Sequence, residues 1–265
     1  MKGETEARFL ARYAEERPSF PRAEHTVDVA LFTIREGQLC IALIRRAQHP
    51  TRGRWALPGG FVELGGGSYG EGEDLETAAR RELAEETGLD VFPGYLEQLR
   101  TYADPWRDKR GRVISTAYVA LTPHVGPLRA GDDAGDAHYF AVADLDEHEG
   151  PELAFDHQRI IEDALERVRG KIEYEGRLAA SFLTEPFTIG ELRRVYEAVW
   201  GGTVSRGNFV RKVLSSQDFL VPTGDRAVPP AGRPAALYRL GVATQFNPPM
   251  TRATMQLAKG TDVAD

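Results

Sequence analysis

Three glutamates lie three and four positions apart near the middle of this 265-residue chain, at Glu82, Glu85 and Glu86. In an α-helix this spacing places all three carboxylates on one face. Without a cation they would repel one another, whereas hard oxygen ligands at this density suit Mg²⁺ or Mn²⁺. A metal held there would bridge phosphate oxygens of a ligand during attack on phosphorus. For an arbitrary helix, a solvated acidic face is the alternative.

The segment from Asp74 to Thr87 is predicted to be the helix that positions these carboxylates. Asp74 can cap its start, and Gly88 can take the left-handed conformation after its last turn. The apolar residues of the segment form one inward stripe, made of Leu75, Ala79 and Leu83.

The segments around this helix read mainly as strands. TVDVALFTI and GQLCIALIRR, separated by Glu36-Gly37, predict a hairpin. Further apolar runs follow at Tyr95 to Leu99, Val113 to Leu121 and Ala137 to Val142, and a short helix is expected from Thr5 to Glu16. We therefore expect a mixed sheet with a few helices.

Composition is that of an ordinary globular chain, 42% hydrophobic and 28% charged, with length for two cores. No apolar stretch has the length of a signal peptide or membrane helix, and the single cysteine, Cys40, favours a reducing, cytoplasmic setting. The net charge is −7, yet residues 171–245 carry ten Lys/Arg against seven Asp/Glu, a net +3. A nucleic-acid partner is therefore plausible only for the second part of the chain.

A helix, a glycine turn and a basic helix are predicted between Thr188 and Leu214. Phe209, Val210, Val213 and Leu214 are expected to point inward. The exposed polar side is expected to present Arg206, Asn208, Arg211 and Lys212, types suited to phosphates and purine edges. Runs at 219–222 and 235–240 can form the strands of a wing, and the tail from Gly241 is left unassigned.

The acidic segment resembles the Nudix box, through Gly67-x5-Glu73-x7-Arg81-Glu82-Leu83-x-Glu85-Glu86-x-Gly88-Leu89, and it follows Trp55 to Glu63 as in that superfamily. The glycine that normally opens the box corresponds to Gly60, so an insertion of roughly Leu64 to Gly70 lengthens the preceding loop. The resemblance implies that Glu82, Glu85 and Glu86 are the metal ligands. It further implies that Arg81 orients a neighbouring carboxylate and that Glu73 helps to bind metal. Asp133 or its neighbour Asp132 would supply a further acidic residue that completes the catalytic site as a base or ligand, with an acidic turn as the alternative reading.

Blocks across residues 25–174 are similar to ADP-ribose pyrophosphatases and to the Nudix-related transcriptional regulators, the NrtR-like proteins. This resemblance implies an α/β (α+β) fold, a Nudix α/β/α sandwich with a mixed sheet, followed by a C-terminal winged helix-turn-helix. The ligand-binding residues it implies are Arg54, Gly60, Asp104, Trp106, Arg107, Arg110 and Arg112. The implied DNA-binding residues are Arg206, Asn208, Arg211, Lys212 and Arg233. His157, beside Asp156, is interpreted as structural rather than catalytic.

The expected organisation is a lead-in helix at 1–24, a Nudix domain at 25–155, a linker helix at 156–179, a winged helix at 180–240 and a tail at 241–265. The leading hypothesis is a homodimeric regulator that binds a double-stranded operator. A nucleoside diphosphate ligand such as ADP-ribose would change its DNA affinity, which suggests control of NAD or sugar metabolism. A Mg²⁺-dependent ADP-ribose pyrophosphatase activity is compatible with this hypothesis. The alternative is a stand-alone pyrophosphatase whose C-terminal domain only mediates dimerisation or protein contacts.

Overall fold

The structure, a computed structural model, describes residues 5–15, 22–65, 71–89, 94–123, 126–129, 134–145, 150–228 and 233–255. The helices are α1 (Glu6–Glu15), α2 (Leu75–Thr87), α3 (His157–Lys171), α4 (Gly176–Ala180), α5 (Ile189–Trp200), α6 (Arg206–Ser215) and α7 (Arg252–Met255), with a 3₁₀ turn at Val142–Asp144. The strands are β1 (Glu24–Arg35), β2 (Gln38–Arg46), β3 (Trp55–Ala56), β4 (Gly59–Phe61), β5 (Tyr95–Tyr102), β6 (Val113–Leu121), β7 (Ala134–Ala141), β8 (Phe187–Thr188), β9 (Leu220–Ala227) and β10 (Ala235–Leu240). None of the helices within these ranges is long and apolar enough to cross a bilayer.

Seven strands form one mixed sheet, with the order β3-β2-β1-β6-β5 and with β4 on β1 and β7 on β2. Strand β1 runs parallel to β6 and antiparallel to β2, so the predicted mixed sheet is confirmed. The predicted hairpin between β1 and β2 is also present. Glu36 and Gly37 both have positive φ, 51° and 80°, which is the backbone that a two-residue hairpin turn needs.

Alternation along β1 sends its side chains to two separate cores. Val29 and Leu31 pack on the side of α2, where Ala79 and Leu83 are buried. Phe32 belongs to the core on the opposite side, which also contains Ile160 and Ile161 of α3 together with Ala164. A strand buried on both faces between helices has a largely apolar sequence, as TVDVALFTI does apart from Asp28 and its threonines. The α/β/α sandwich follows from this arrangement.

The second unit is a helix-turn-helix with a wing, as predicted. Helix α5 begins with a capping box between Thr188 and Glu191 and ends at Gly201, whose φ is 67°. The second helix, α6, follows after a short turn, and β9 pairs with β10 in an antiparallel three-stranded sheet completed by β8. One sequence expectation is wrong: Leu214, which was expected to point inward, is 57% exposed near the end of α6.

The tail from Gly241, which the sequence left unassigned, folds back against the junction of α3 and α4. The amides of Phe246 and Met250 donate to the carbonyls of Tyr174 and Glu173, each at 2.7 Å. Phe246 and Met250 are buried, and the Phe246 ring lies 4.6 Å from that of Phe219. The carbonyl of Met255 accepts from the amide of Ser205, the residue that caps α6. The tail therefore ties the linker region to the second helix of the winged unit.

Replacing Phe246 with Ala is expected to lower the free energy of unfolding by about 3 kcal/mol, because it removes a buried ring and leaves a cavity against Gly176 and Phe219. Denaturant unfolding followed by circular dichroism measures this. Val242→Ala is the matched control, since Val242 is 84% exposed in the same tail. Equal stability of the two variants would mean that the tail is not packed in solution.

Candidate ligand-binding and catalytic site

Helix α2 holds the acidic residues at the end of β4. The carboxylate of Asp74 accepts from the amide of Thr77 at 2.8 Å, and Gly88 ends the helix with φ 69°, so both predicted caps are present. Ala79 and Leu83 are buried against the sheet. The face beside this apolar stripe carries Glu82, Glu85 and Glu86, as the helical spacing requires.

Arg81 links the carboxylates of this region into one network. Its Nη1 donates to Glu82 Oε1 at 2.8 Å and to Glu85 Oε2 at 3.1 Å, and its Nε donates to Glu73 Oε2 at 3.0 Å. Its Nη2 also donates to the carbonyl of Phe61 at 3.1 Å. These bonds lower the pKa of Glu73, with the Arg81 hydrogen bond as the main cause. Arg81 therefore stands where the resemblance expects an orienting residue, in contact with three acids.

Glu82 and Glu86 are packed against the glycines of β4. The amide of Gly59 donates to Glu86 Oε2 at 2.7 Å. A Cβ at Gly60 would come within 2.3 Å of Glu82 Oε1, so a larger residue there would displace that carboxylate from its observed position. Burial, and then the charges of Glu82 and Asp28, raise the pKa of Glu86 to about 8. Burial likewise raises the pKa of Glu82.

The donor set fits a hard divalent cation. Two half-buried carboxyl groups whose pKa values are raised, beside the exposed Glu85, are groups whose ionised form a cation would stabilise. Within the described ranges, no three acidic, histidine or cysteine side chains are already gathered at metal-binding distance. Arg81 Nη1 bonds to both Glu82 and Glu85, so a bound cation would have to replace those contacts.

A cavity of about 540 Å³ is lined by these acids and also by cationic and aromatic side chains. Arg46 lies 4.9 Å from the centre of the Phe155 ring, and Arg110 lies 5.1 Å from that of Phe61 and 5.9 Å from that of Phe155. Asp108, itself buried, holds Arg110 through Nε and Nη2 at 3.1 and 2.7 Å. Burial and the like charge of Arg110 lower the pKa of Arg46. An anion bound beside Arg46 and Arg110 would relieve the repulsion between them.

The base of the cavity contains two groups that sequence reasoning did not select as site residues, Asp28 and His157. Asp28 is 6% exposed and accepts from Ser115 Oγ at 2.5 Å. His157 Nδ1 accepts from the amide of Leu57 at 2.8 Å, so the ring proton is on Nε2, which lies 3.4 Å from Asp28 Oδ1. Burial lowers the pKa of His157, which keeps the ring neutral. A charged residue inside the apolar run TVDVALFTI was the available signal for Asp28.

Only some of the predicted ligand-binding residues line the cavity. Gly60, Arg107 and Arg110 line the cavity. Four others do not: Arg54 faces Glu152 at 3.4 Å, Asp104 accepts from the Trp106 amide at 2.9 Å, Trp106 is 88% exposed, and Arg112 donates to the carbonyl of Ala103 at 2.8 Å. Their loops turn these side chains toward backbone groups or solvent rather than inward. Asp132 and Asp133 lie outside the described residues.

The predicted DNA-binding residues lie on or beside α6 and the wing. Arg206, Asn208 and Arg211 are exposed on α6, and Arg233 is exposed just before β10. Lys212 differs from the expectation that it is exposed with them, because its Nζ donates to the carbonyl of Pro248 and lies 5.7 Å from the centre of the Phe246 ring. The folded tail accounts for this difference. The sandwich, its acidic helix and the appended winged helix together define a two-domain Nudix protein.

Comparisons with known proteins agree with this definition. Residues 24–164 match the NUDIX domain family, and residues 179–240 match the NrtR DNA-binding winged helix domain. The ADPR responsive transcriptional repressor NtrR of Acinetobacter baylyi is 32% identical over 238 residues, 90% of this chain and 89% of that protein. An ADP-ribose pyrophosphatase of Methanocaldococcus jannaschii is 44% identical over 135 residues, 51% of this chain and 71% of that enzyme.

The same architecture occurs in a crystal structure of Shewanella oneidensis NrtR complexed with a 27mer DNA. It has a TM-score of 0.68 and 35% sequence identity, over 83% of this chain and 96% of that one. The chain belongs to the NrtR family of Nudix-related transcriptional regulators.

The raised pKa of Glu86 predicts a pH-dependent stability in metal-free buffer. The folded protein retains a proton on Glu86 up to about pH 8, whereas the unfolded chain releases it near the ordinary glutamate value. Stability from this group is therefore lost as the pH rises toward 8. Relative to Glu86→Gln, the wild type should lose on the order of 3 kcal/mol between about pH 5 and pH 8.

Chemical denaturation at a series of pH values measures this difference. Glu76→Gln is the control, because Glu76 is an exposed acid on the same helix, paired with Arg80. If wild type and Glu86→Gln lose stability in parallel, Glu86 does not carry a raised pKa.

Proposed function

We propose that this protein is an ADP-ribose-responsive, DNA-binding transcriptional regulator. The observation that carries the proposal is one cavity lined by both carboxylates and guanidinium groups, in a chain that continues into a winged helix. The similarity to a repressor described as ADPR responsive, over nine tenths of the chain, supports the same ligand. Such a protein would act in the cytoplasm, in keeping with the setting expected from Cys40.

The groups that line the cavity suit the two parts of a nucleoside diphosphate derivative. Arg46 and Arg110 supply positive charge for phosphate oxygens, and the rings of Phe61 and Phe155 offer apolar surface to a base or ribose. Arg107 is already paired with Asp28 and Asp156. Its proposed role is therefore to stabilise the side of the cavity rather than to bind the ligand directly. The carboxylates of α2 would hold Mg²⁺ or Mn²⁺, and the metal would bind the diphosphate.

The winged unit supplies a surface for a double-stranded operator. Arg206, Asn208 and Arg211 project from α6 into solvent, and Arg233 is exposed just before β10 of the wing. In a helix-turn-helix the second helix enters the major groove, and a homodimer binds two half-sites related by two-fold symmetry. A ligand can alter this binding only if it has unequal affinity for two states of the protein.

Hydrolysis of the ligand is a second function that the acidic helix favours. All the carboxylates of the box are present, and Arg81 holds three of them in position. A divalent ion bound by Glu82, Glu85 and Glu86, with Glu73 in support, would neutralise negative charge that develops on the phosphate oxygens. Water would add to one phosphorus while the bridging P–O bond breaks, converting ADP-ribose to AMP and ribose 5-phosphate. The 44% identity to an ADP-ribose pyrophosphatase supports this activity.

A pyrophosphatase whose C-terminal domain serves only for dimerisation is not favoured. The second unit matches a DNA-binding winged helix over residues 179–240, and its α6 exposes arginines. Both features argue for contact with DNA.

Incubation with ADP-ribose and Mg²⁺ should release AMP, measured by chromatography. We expect Glu86→Gln, alone or with Glu85→Gln, to lower the rate by about 10²-fold or more, because charge stabilisation at the reacting phosphate is lost. Glu76→Gln, on the same helix but outside the cavity, should retain the wild-type rate. AMP formation that survives the double substitution would refute the metal-dependent mechanism.

Arg206→Ala and Arg211→Ala should each weaken binding to a duplex that the wild type has selected from a randomised pool. Each change removes a positive charge near the phosphates, so the slope of log K against log salt should fall by about 1 per substitution. Fluorescence anisotropy at several salt concentrations gives the slope. Arg159→Ala is the control, an exposed arginine on α3 outside the winged unit. Unchanged slopes in the α6 variants would favour the dimerisation alternative.

A further inference from the structure

The wall of the cavity is continuous with the helix that leads to the winged unit. Phe155, Asp156 and His157 are consecutive, and α3 begins at His157 with Asp156 as its N-terminal flanking residue. Phe155 and His157 line the cavity, and Asp156 lies directly behind it. The first turn of the linker helix is therefore part of the ligand site.

Each of the three residues contacts a different element of the cavity. Asp156 forms a two-point ion pair with Arg107, whose Nε and Nη2 lie 3.1 and 2.8 Å from its two oxygens. The Arg107 side chain is 4% exposed, and the same Nη2 lies 3.4 Å from Asp28. His157 is bonded to the amide of Leu57 and faces Asp28. A two-point pair of this kind, with little access to water, responds strongly to any change in nearby charge.

Phe155 lies beside the two guanidinium groups that would attract an anion. Its ring lies within 4.9 Å of Arg46 and 5.9 Å of Arg110, the two guanidinium groups that repel each other across it. Its φ is 49°, a left-handed conformation that costs a non-glycine residue on the order of 1 kcal/mol and persists only while its surroundings hold it. Ligand phosphates drawn to these arginines would change the contacts that hold Phe155.

The other end of α3 is bonded to α5, the first helix of the winged unit. Arg169 Nε donates to the carbonyl of Val199 at 3.0 Å, and its own carbonyl accepts from Trp200 Nε1 at 3.3 Å. Tyr196 OH, fully buried, donates to the carbonyl of Ile172 at 3.0 Å. A helix of 15 residues spans about 22 Å, so displacement of its first turn is carried as a rigid shift to α5.

We propose that residues 155–157 and α3 transmit ligand binding to the winged unit, with the Arg107–Asp156 pair as the link. This inference rests on the proposed function and specifies its regulation. Ligand phosphates at Arg46 and Arg110 alter the support of Phe155. The first turn of α3 then shifts with Asp156, and α5 follows through its bonds to Arg169 and Ile172. Asp156 acts through the helix, so it is a positioning residue.

Asp156→Asn tests this link, with Asp163→Asn as its matched control. Asp163 lies on the same helix and accepts from Tyr102 OH at 2.8 Å, away from the cavity. The dissociation constant for the selected duplex is measured with and without ADP-ribose, in metal-free buffer so that the nucleotide is not consumed. The dissociation constant for ADP-ribose is measured with and without DNA. Both ratios must give the same coupling factor, because linkage is reciprocal.

The wild type and Asp163→Asn should show a coupling factor of about tenfold or more, and Asp156→Asn should fall below about threefold. The coupling factor is a ratio, so a general loss of affinity does not alter it. Asp156→Asn with the wild-type factor overturns the inference while leaving the proposed function in place. A wild type indifferent to ADP-ribose in both measurements overturns the proposed function itself.

Hydrogen exchange on the wild type provides a second measurement that needs no variant. Addition of ADP-ribose should change amide exchange in the first turn of α3 and where α5 meets its C-terminal end. If exchange changes around the cavity but nowhere in α3 or α5, the signal does not travel along this helix and the inference fails.

Discussion

The balance of charge at the acidic end of the sheet is the constraint on which the rest of the site depends. Carboxyl groups from α2 and β1 line one cavity, and Asp28 and Glu86 are largely buried there, where like charges are costly. Arg81 offsets part of this charge on the helix, and Arg107 offsets part of it beside Asp28. Burial, and then the remaining charges of Glu82 and Asp28, raise the pKa of Glu86. A divalent cation would neutralise the remaining negative charge of the carboxylates and would bind the diphosphate. The same carboxylates would therefore determine both the charge of the site and the chemistry of its ligand.

The same balance joins the ligand site to the linker helix. Arg107 pairs with Asp28 of the sheet and with Asp156 beside α3, so one guanidinium serves both the cavity floor and the helix start. A change at the cavity caused by ligand binding would therefore also affect the start of α3. The carboxylates of α2 and the arginines beside Phe155 line the same cavity, so the proposed hydrolysis and the proposed sensing would use different residues of one site.

The tail and the linker together set the geometry of the winged unit. Phe246 and Met250 fill the junction of α3 and α4, and Met255 is hydrogen bonded to the cap of α6. This packing holds Lys212 against the tail, so the positive surface of α6 is concentrated on Arg206 and Arg211. Contacts of this kind connect α3, α5 and α6, as the proposed transmission of a signal from the cavity requires.

The sequence by itself determined the local parts of this protein. Helical spacing places Glu82, Glu85 and Glu86 on one face whatever surrounds them, and alternation, turn residues and caps specify the sandwich and the winged helix. Only the tertiary structure decided which distant groups meet. Asp28 and His157 come together across more than a hundred residues, and Trp106 and Arg54 turn away from a cavity that their loops border. Periodicity constrains the direction of a side chain relative to its own element, whereas the direction of a loop side chain and the meeting of strand ends depend on packing and charge across the whole chain.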